Sequence, residues 1–203
     1  MAIDPTIGVV LAGGLSSRMG GGDKCLRPLG GKTLLGHVLQ RLKPQVAAVV
    51  LNANGDLARF QGYGLAVVAD SVPGFAGPLP GILAGMDWAR ARHMGTSWIV
   101  STAADAPFLP RDLVQRLHRG RGRARIAVAA SGGWRHPTTA LWPVELAEEL
   151  RQALAAGERK IDLFTARHSV ATVEFATDPV DPFFNVNTPE ELAEAERLLA
   201  LAG

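Results

Sequence analysis

The 203-residue chain has a single cysteine, Cys25, which excludes an internal disulfide and a thiolate metal cluster. A lone thiol fits a reducing compartment, and a cytoplasmic location is expected. Aromatic residues are few, at 6%. No stretch approaches the ~18 apolar residues of a transmembrane helix. The start, Met1-Ala-Ile-Asp-Pro-Thr-Ile7, puts no basic region ahead of its short apolar run, so no secretory signal is expected either. An excess of one charge is also lacking: 21 Lys and Arg against 19 Asp and Glu leave a net formal charge of +2. Nucleic acid usually asks for a concentrated basic face. The one basic run, Arg119 to Arg125, reads as a solvated loop. The expected partners therefore include neither nucleic acid nor a membrane. The five histidines show no metal-ligand spacing, and no Ser/His/Asp set or carboxylate dyad stands out.

What is abundant is glycine. Nine of the 23 glycines lie in the first 36 residues, seven of them between Gly13 and Gly31. With 47% hydrophobic residues, the composition is globular and excludes wholesale disorder.

Short apolar runs alternate with longer amphipathic ones. Strands are expected at 7–12, 46–51, 65–69, 98–102 and 126–130, with another at 138–142 and an alternating one at 170–175. Helical spacing marks 33–42, 79–91, 111–118, 144–156 and 161–167. Thr188-Pro-Glu-Glu191 reads as a capping box opening a helix to about Leu201. Strand–helix alternation with short connections predicts a mostly parallel sheet with helices on both faces, with ligands beyond the carboxyl ends of its strands. The candidate chemistry lies at those ends: the Gly13 loop, Asn52, Asp70 and Asp105. With no linker and no internal repeat, one domain over 1–203 is expected. Its first half, about 1–110, would carry those candidate strand ends, and about 111–203 would complete the sheet.

The loop Leu11-Ala-Gly-Gly-Leu-Ser-Ser-Arg-Met-Gly-Gly-Gly-Asp-Lys24 follows the first strand. Gly13 and Gly14 allow close backbone approach to a ligand, and successive N–H groups in such a turn favour anions. Arg18 and Lys24 add the positive charge that a triphosphate needs. The loop fails the Walker pattern, because Asp23 precedes Lys24 and Cys25 follows it, and it lacks the Gly-x-Gly-x-x-Gly spacing.

The loop instead resembles the nucleotidyltransferase signature Leu-Ala-Gly-Gly, Arg-Met-Gly, Lys. Further blocks follow in order: Asn52-Ala-Asn54, Asp70, Gly77-Pro-Leu79, Asp105-Ala-Pro-Phe-Leu-Pro110, His136-Pro-Thr138, Ala156-Gly-Glu-Arg159 and Asn185-Val-Asn-Thr-Pro-Glu-Glu-Leu192. Together they look like the molybdenum cofactor guanylyltransferase family. That resemblance implies a three-layer α/β/α Rossmann-like nucleotidyltransferase fold. It also implies transfer of GMP from GTP to molybdenum-bound molybdopterin, with release of pyrophosphate. The GTP-binding residues carried over are Leu11, Ala12, Gly13, Gly14, Lys24, Asn52, Asp70 and Asp105. Lys24, Asp105 and Arg18 are the catalytic candidates, Asp105 holds Mg²⁺, and Asn185 and Asn187 lie on the pterin side. The implied partners are the two substrates, with cofactor-delivery proteins and acceptor molybdoenzymes. Gly13-Gly14 stands where cytidylyl-transferring relatives have Ala-Gly, which favours guanine. A related nucleotidyltransferase using CTP, or a sugar or polyol phosphate acceptor, is the alternative.

Some readings rest on weaker ground. Asn185 and Asn187 are expected to alternate on a short strand. Trp134 and Trp142 are expected to pack in the core or its rim rather than flank a pterin. His136 is equally suited to a structural hydrogen bond and to a substrate contact.

Overall fold

The chain, seen in a computed structural model, is described for residues 4–13, 23–72, 77–92 and 95–201. Gly14, Arg18 and Gly20 to Gly22 fall outside the described residues. A central sheet is built from β1 (Thr6–Leu11), β4 (Ala48–Asn52), β5 (Ala66–Val68), β6 (Trp98–Ala103), β7 (Ile126–Ser131), β8 (Trp134–Pro143) and β9 (Val170–Phe175). β2 (Pro28–Leu29) and β3 (Lys32–Thr33) form a separate small hairpin. The helices are α1 (Leu34–Leu42), α2 (Leu79–Arg92), α3 (Leu113–Arg121), α4 (Ala147–Ala155), α5 (Ile161–Thr165) and α6 (Pro189–Leu199).

The sheet order is β5-β4-β1-β6-β8-β7-β9, and only β8 runs against the other strands. Alternation along β1 explains the layers, since neighbouring residues on a strand point to opposite faces. Val10 joins Leu35, Val38 and Leu42 of α1 and Leu113 and Leu117 of α3 on one face. Ile7 and Val9 join Ile82, Leu83 and Met86 of α2 and Leu150 and Leu154 of α4 on the other. A smaller cluster, with Leu29, Leu34, Phe108, Val186 and Ala195, seats α6 at the end of the sheet. The sequence-derived fold class is therefore the observed one. The second half contributes β7, β8 and β9 to the same sheet as the first.

Several expectations need correction. The strand expected at 138–142 runs from Trp134, straight through Pro137. Proline cannot donate to a ladder. The register slips instead: Ala140 faces Val128 and His136 faces Ala129, which leaves residues 137–139 as a bulge. The 144–156 helix opens as a 3-10 turn, Val144–Leu146, before α4 begins. The helix expected at 111–118 ends one turn later, so Arg119 and Arg121 belong to α3 rather than to a loop. Asn185 to Asn187 are not a strand, because no neighbouring strand pairs with them. Trp142 is fully buried and donates to Ser101 Oγ at 2.8 Å, as a core residue should. Trp134, by contrast, is 77% exposed at the tip of the β7–β8 hairpin and packs in no core.

Close contact between α2 and β1 depends on Gly85. A Cβ there would sit 2.4 Å from Val9 Cγ2. Alanine is the better helix former by about 1 kcal/mol. Overpacking a buried contact costs about 1–3 kcal/mol. Gly85→Ala is therefore expected to destabilise the protein, by up to about 2 kcal/mol in urea unfolding, with unchanged circular dichroism.

Candidate active site

Strand order reverses direction at β1, which has β4 on one side and β6 on the other. Fold logic places a ligand beyond the carboxyl ends of these strands. A cleft of about 420 Å³ opens there. Leu11 and Gly13 line it from β1, Asn52 and Asn54 from β4, Asp70 from β5, and Ala103 and Asp105 from β6. Gly77 and Pro78, just ahead of α2, and Thr138, from the β8 bulge, complete the lining. The first turn of α2 thus points its N-terminal dipole at the cleft, which favours anions. A cavity of similar volume, about 440 Å³, opens at the opposite end of the sheet. Two of its three arginines are engaged: Arg121 lies over the Trp98 ring at 4.5 Å, and Arg125 pairs with Glu145 and Glu149.

The turn after β1 is fixed by its backbone. Ala12 N–H donates to the Asn52 carbonyl at 2.8 Å, and the Leu11 carbonyl accepts from Ala104 N–H at 3.0 Å. Gly13 does not need a left-handed conformation. Among the described residues a Cβ added there would meet nothing within 4 Å. Its value is the open space it leaves against the cleft, not a sharp turn.

At the ends of β4 and β5, two asparagines bracket one carboxylate. Asp70 accepts from Asn52 Nδ2 at 2.9 Å through one oxygen and from Asn54 Nδ2 at 2.7 Å through the other. Asn54 Oδ1 accepts the Asp70 N–H at 3.0 Å. Asn52 also donates to the Val68 carbonyl at 3.3 Å and is only 4% exposed. Asn52 therefore acts mainly by holding Asp70, while Asp70 faces the ligand space. Gly81 lies inside α2, within the helix expected at 79–91. A Cβ there would come 2.2 Å from Asn52 Oδ1. Glycine at 81 is what lets the amide stand where it does.

The second cluster joins residues far apart in sequence. Lys24 Nζ forms an ion pair with Asp105 Oδ2 and donates to Asn187 Oδ1 at 2.7 Å. Both charged side chains are mostly buried, at 17% and 13% exposed. The backbone of Asp105 is tied to the same segment, because its carbonyl accepts Val186 N–H at 3.0 Å. An ammonium has three donors. Among the described residues these two bonds leave one N–H of Lys24 for an incoming anion. Asn185 is exposed, Val186 is buried and Asn187 is half-buried, so the segment alternates without being a strand.

Sequence reasoning missed Arg59. Its guanidinium pairs with Asp23, donates to the Asn54 carbonyl at 2.8 Å and lies over the Phe60 ring. One side chain thereby braces the residue before Lys24 and the residue that holds Asp70. Glu191 was read only as a helix cap. Its carboxylate accepts from Asn187 N–H at 2.6 Å as well as Thr188 N–H at 3.1 Å, so the cap of α6 also orients Asn187. Cys25, next to Lys24, is not a nucleophile. Burial, helped by the nearby Asp23 and Asp105 charges, pushes its thiol up to about 12. The folded protein should therefore resist a thiol reagent at pH 8–9, and one thiol should react once urea unfolds it. Gly81→Ala should displace the Asn52 amide and weaken nucleotide binding about tenfold, read by calorimetric titration, while Gly85→Ala leaves that affinity unchanged.

Comparison with known proteins agrees with this geometry. Residues 8–171 match the MobA-like NTP transferase domain. A molybdenum cofactor guanylyltransferase of Nitrobacter hamburgensis is 58% identical over 99% of this chain and 98% of its own length. One from Rhodopseudomonas palustris is also 58% identical, over 95% of this chain and 93% of its own length. Among solved structures, molybdopterin-guanine dinucleotide biosynthesis protein A of Archaeoglobus fulgidus shares the fold with a TM-score of 0.74 at 24% identity, covering 96% of this chain and 99% of that one. The glycine-turn cleft with its Asp70 bracket and its Lys24–Asp105–Asn187 junction thus sits on a nucleotidyltransferase fold, and the chain belongs to the molybdenum cofactor guanylyltransferase family.

Proposed function

We propose that the protein transfers GMP from GTP to molybdenum-bound molybdopterin. The observation that carries this reading is the meeting of Lys24, Asp105 and Asn187 at the carboxyl end of β6, beside the cleft under the β1 turn. The named activity of relatives 58% identical over nearly the whole chain supports it.

The chemistry suits the residues present. An oxygen of the acceptor's terminal phosphate attacks the α-phosphorus of GTP. A new P–O bond forms, the bond to the bridging oxygen breaks, and pyrophosphate leaves. A phosphomonoester has its second pKa near ~6, so the attacking oxygen is already ionised at neutral pH. No strong general base is required. The barrier is dominated by the charge on phosphate, and placing fixed cations and dipoles against it is the main contribution. In this reading Lys24 directs its remaining N–H to the triphosphate. The backbone of Leu11 to Gly13 supports the nucleotide, and Asp70, held by Asn52 and Asn54, orients the nucleoside. Asn187, with Asn185, faces the acceptor.

Asp105 would hold Mg²⁺. Among the described residues no three His, Cys, Asp or Glu side chains gather as a metal cage. A single carboxylate suits a cation that takes its other ligands from phosphate and water. When bound, the ion would neutralise charge on the triphosphate. Among the described residues no helix is long and apolar enough to cross a membrane.

The test follows pyrophosphate release from purified protein given each nucleoside triphosphate, Mg²⁺ and molybdenum-loaded molybdopterin. GTP is expected to turn over and CTP is not. Turnover with CTP alone would overturn the base assignment. Asp105→Asn and Lys24→Ala are each expected to lower kcat by about 10²–10³ with the fold intact. An unchanged rate in Asp105→Asn would remove that carboxylate from the reaction.

A further inference from the structure

Ser131, the last residue of β7, is 1% exposed, and its hydroxyl touches two groups. It donates to Asp181 Oδ1 at 2.8 Å, since an ionised carboxylate only accepts. A hydroxyl has one proton to give. The 2.7 Å contact with His136 Nε2 must therefore run the other way, with Nε2–H donating to Ser131 Oγ. This fixes the tautomer of His136. Burial holds the ring below the usual imidazole range, against the pull of Asp181 and Glu174.

Asp181 carries the chain onward from this anchor. Its Oδ1 also accepts Phe183 N–H at 2.9 Å, and its carbonyl accepts Phe184 N–H at 3.2 Å. The Phe183 ring lies 4.7 Å from the His136 ring and meets Phe175 of β9 edge-on at 5.2 Å. The turn at 181–184 is thus fastened to β7, β8 and β9 together. Within three residues of Phe183 the same segment enters the site, where Val186 bonds to Asp105 and the adjacent Asn187 to Lys24. Leu11 to Gly13, Asn52 and Asp70, assigned to the nucleotide's backbone and nucleoside contacts, sit instead at the ends of β1, β4 and β5, on the other side of β6, and Lys24 and Asp105 lie between the two halves.

We propose that His136, acting through Ser131 and Asp181, is a positioning residue for the acceptor half of the site. It sets where Asn185 to Asn187 stand against Lys24 and Asp105, and so governs binding of the phosphorylated pterin rather than of GTP. The inference rests on the guanylyl-transfer reading for the identity of the acceptor, but not for the coupling itself. The three residues come from a β-strand end, a bulged strand and a loop, and none of their spacings marks them as a unit.

The test compares the wild type with His136→Leu and His136→Gln. Leucine fills the space without a donor, whereas the glutamine Nε2 can reach Ser131 and donate. Three readouts are taken: the KM for molybdenum-loaded molybdopterin, the Kd for GTP by calorimetry, and amide hydrogen exchange of residues 183–187. His136→Leu is expected to raise the acceptor KM about tenfold, the scale of one lost buried hydrogen bond, with GTP affinity within about twofold. Exchange at 183–187 should quicken. His136→Gln should restore most of both. An unchanged acceptor KM, a parallel loss of GTP affinity, or a glutamine variant no better than leucine would each overturn the proposal. Should the wild type fail to turn over molybdopterin, the guanylyl-transfer reading fails and exchange alone decides the coupling: unchanged protection at 183–187 in His136→Leu would overturn it. Asp181→Asn and Asp181→Ala give a second pair in case the leucine variant does not fold. Asparagine keeps an oxygen for both donors and should stay near wild type, while alanine should reproduce the acceptor defect. Equal behaviour of the two would also overturn the proposal.

Discussion

The buried ion pair between Lys24 and Asp105 is the constraint on which the rest of the site depends. Two charges taken largely out of water are tolerable only when their remaining hydrogen-bonding capacity is met. Here Asn187 meets part of it on the lysine side, and Val186 holds the backbone that carries the acid. Three segments that are remote in sequence must therefore arrive together. Each arrives with its own brace: Arg59 on Asp23 just ahead of Lys24, the end of β6 beneath Asp105, and the α6 capping box beneath Asn187. A helix cap, ordinarily a local device, has become part of a long-range junction because its Glu191 serves the residue outside the helix as well.

The reversal of β8 has a similar consequence. A wholly parallel sheet would have carried the chain away from the cleft after β7. The hairpin instead brings the chain back beside β6, and Pro137 breaks the ladder just where the strand passes the cleft. The bulge turns Thr138 to line it, while Ser101 Oγ donates to the Thr138 carbonyl at 2.8 Å and keeps the displaced backbone paired. A residue that is a defect by strand rules is here what shapes one wall of the site.

How much of this was legible follows from the range of each interaction. Strands β1 and β4 announced themselves as largely apolar runs, because a strand buried on both faces has no polar side to show. Asp70 and Asp105 could be placed because fold logic assigns chemistry to strand ends. Burial could not be read in the same way. Asn52 occupies the expected place, yet it lies beneath Asp70 and serves that carboxylate. Arg59 left no trace, since a single arginine in a 3-10 segment has no period or motif. The Asn185 to Asn187 segment alternates like a strand but finds no partner, and pairing is decided by tertiary neighbours rather than by pattern. Trp134 was misjudged for the opposite reason: a large aromatic usually finds cover, but the tip of a tight hairpin offers none.

These interactions also explain why the site needs so few titrating groups. The described polar groups at the cleft are already oriented by bonds to one another. Asp70 is fixed by two amides, Lys24 by an acid and an amide, and Asn187 by the cap of α6. Groups held in this way do not have to reorganise as charge shifts during phosphoryl transfer, and that fixed orientation is the part of electrostatic catalysis that water cannot supply. In the proposed reaction the nucleophile is an ionised phosphate with no proton to remove, so a base would add little where alignment decides the rate. The same logic gives the glycines their roles. Gly81 yields its side chain to the Asn52 amide, and a Cβ at Gly13 would meet no described residue within 4 Å, so each of the two leaves room at the cleft that any other residue would fill.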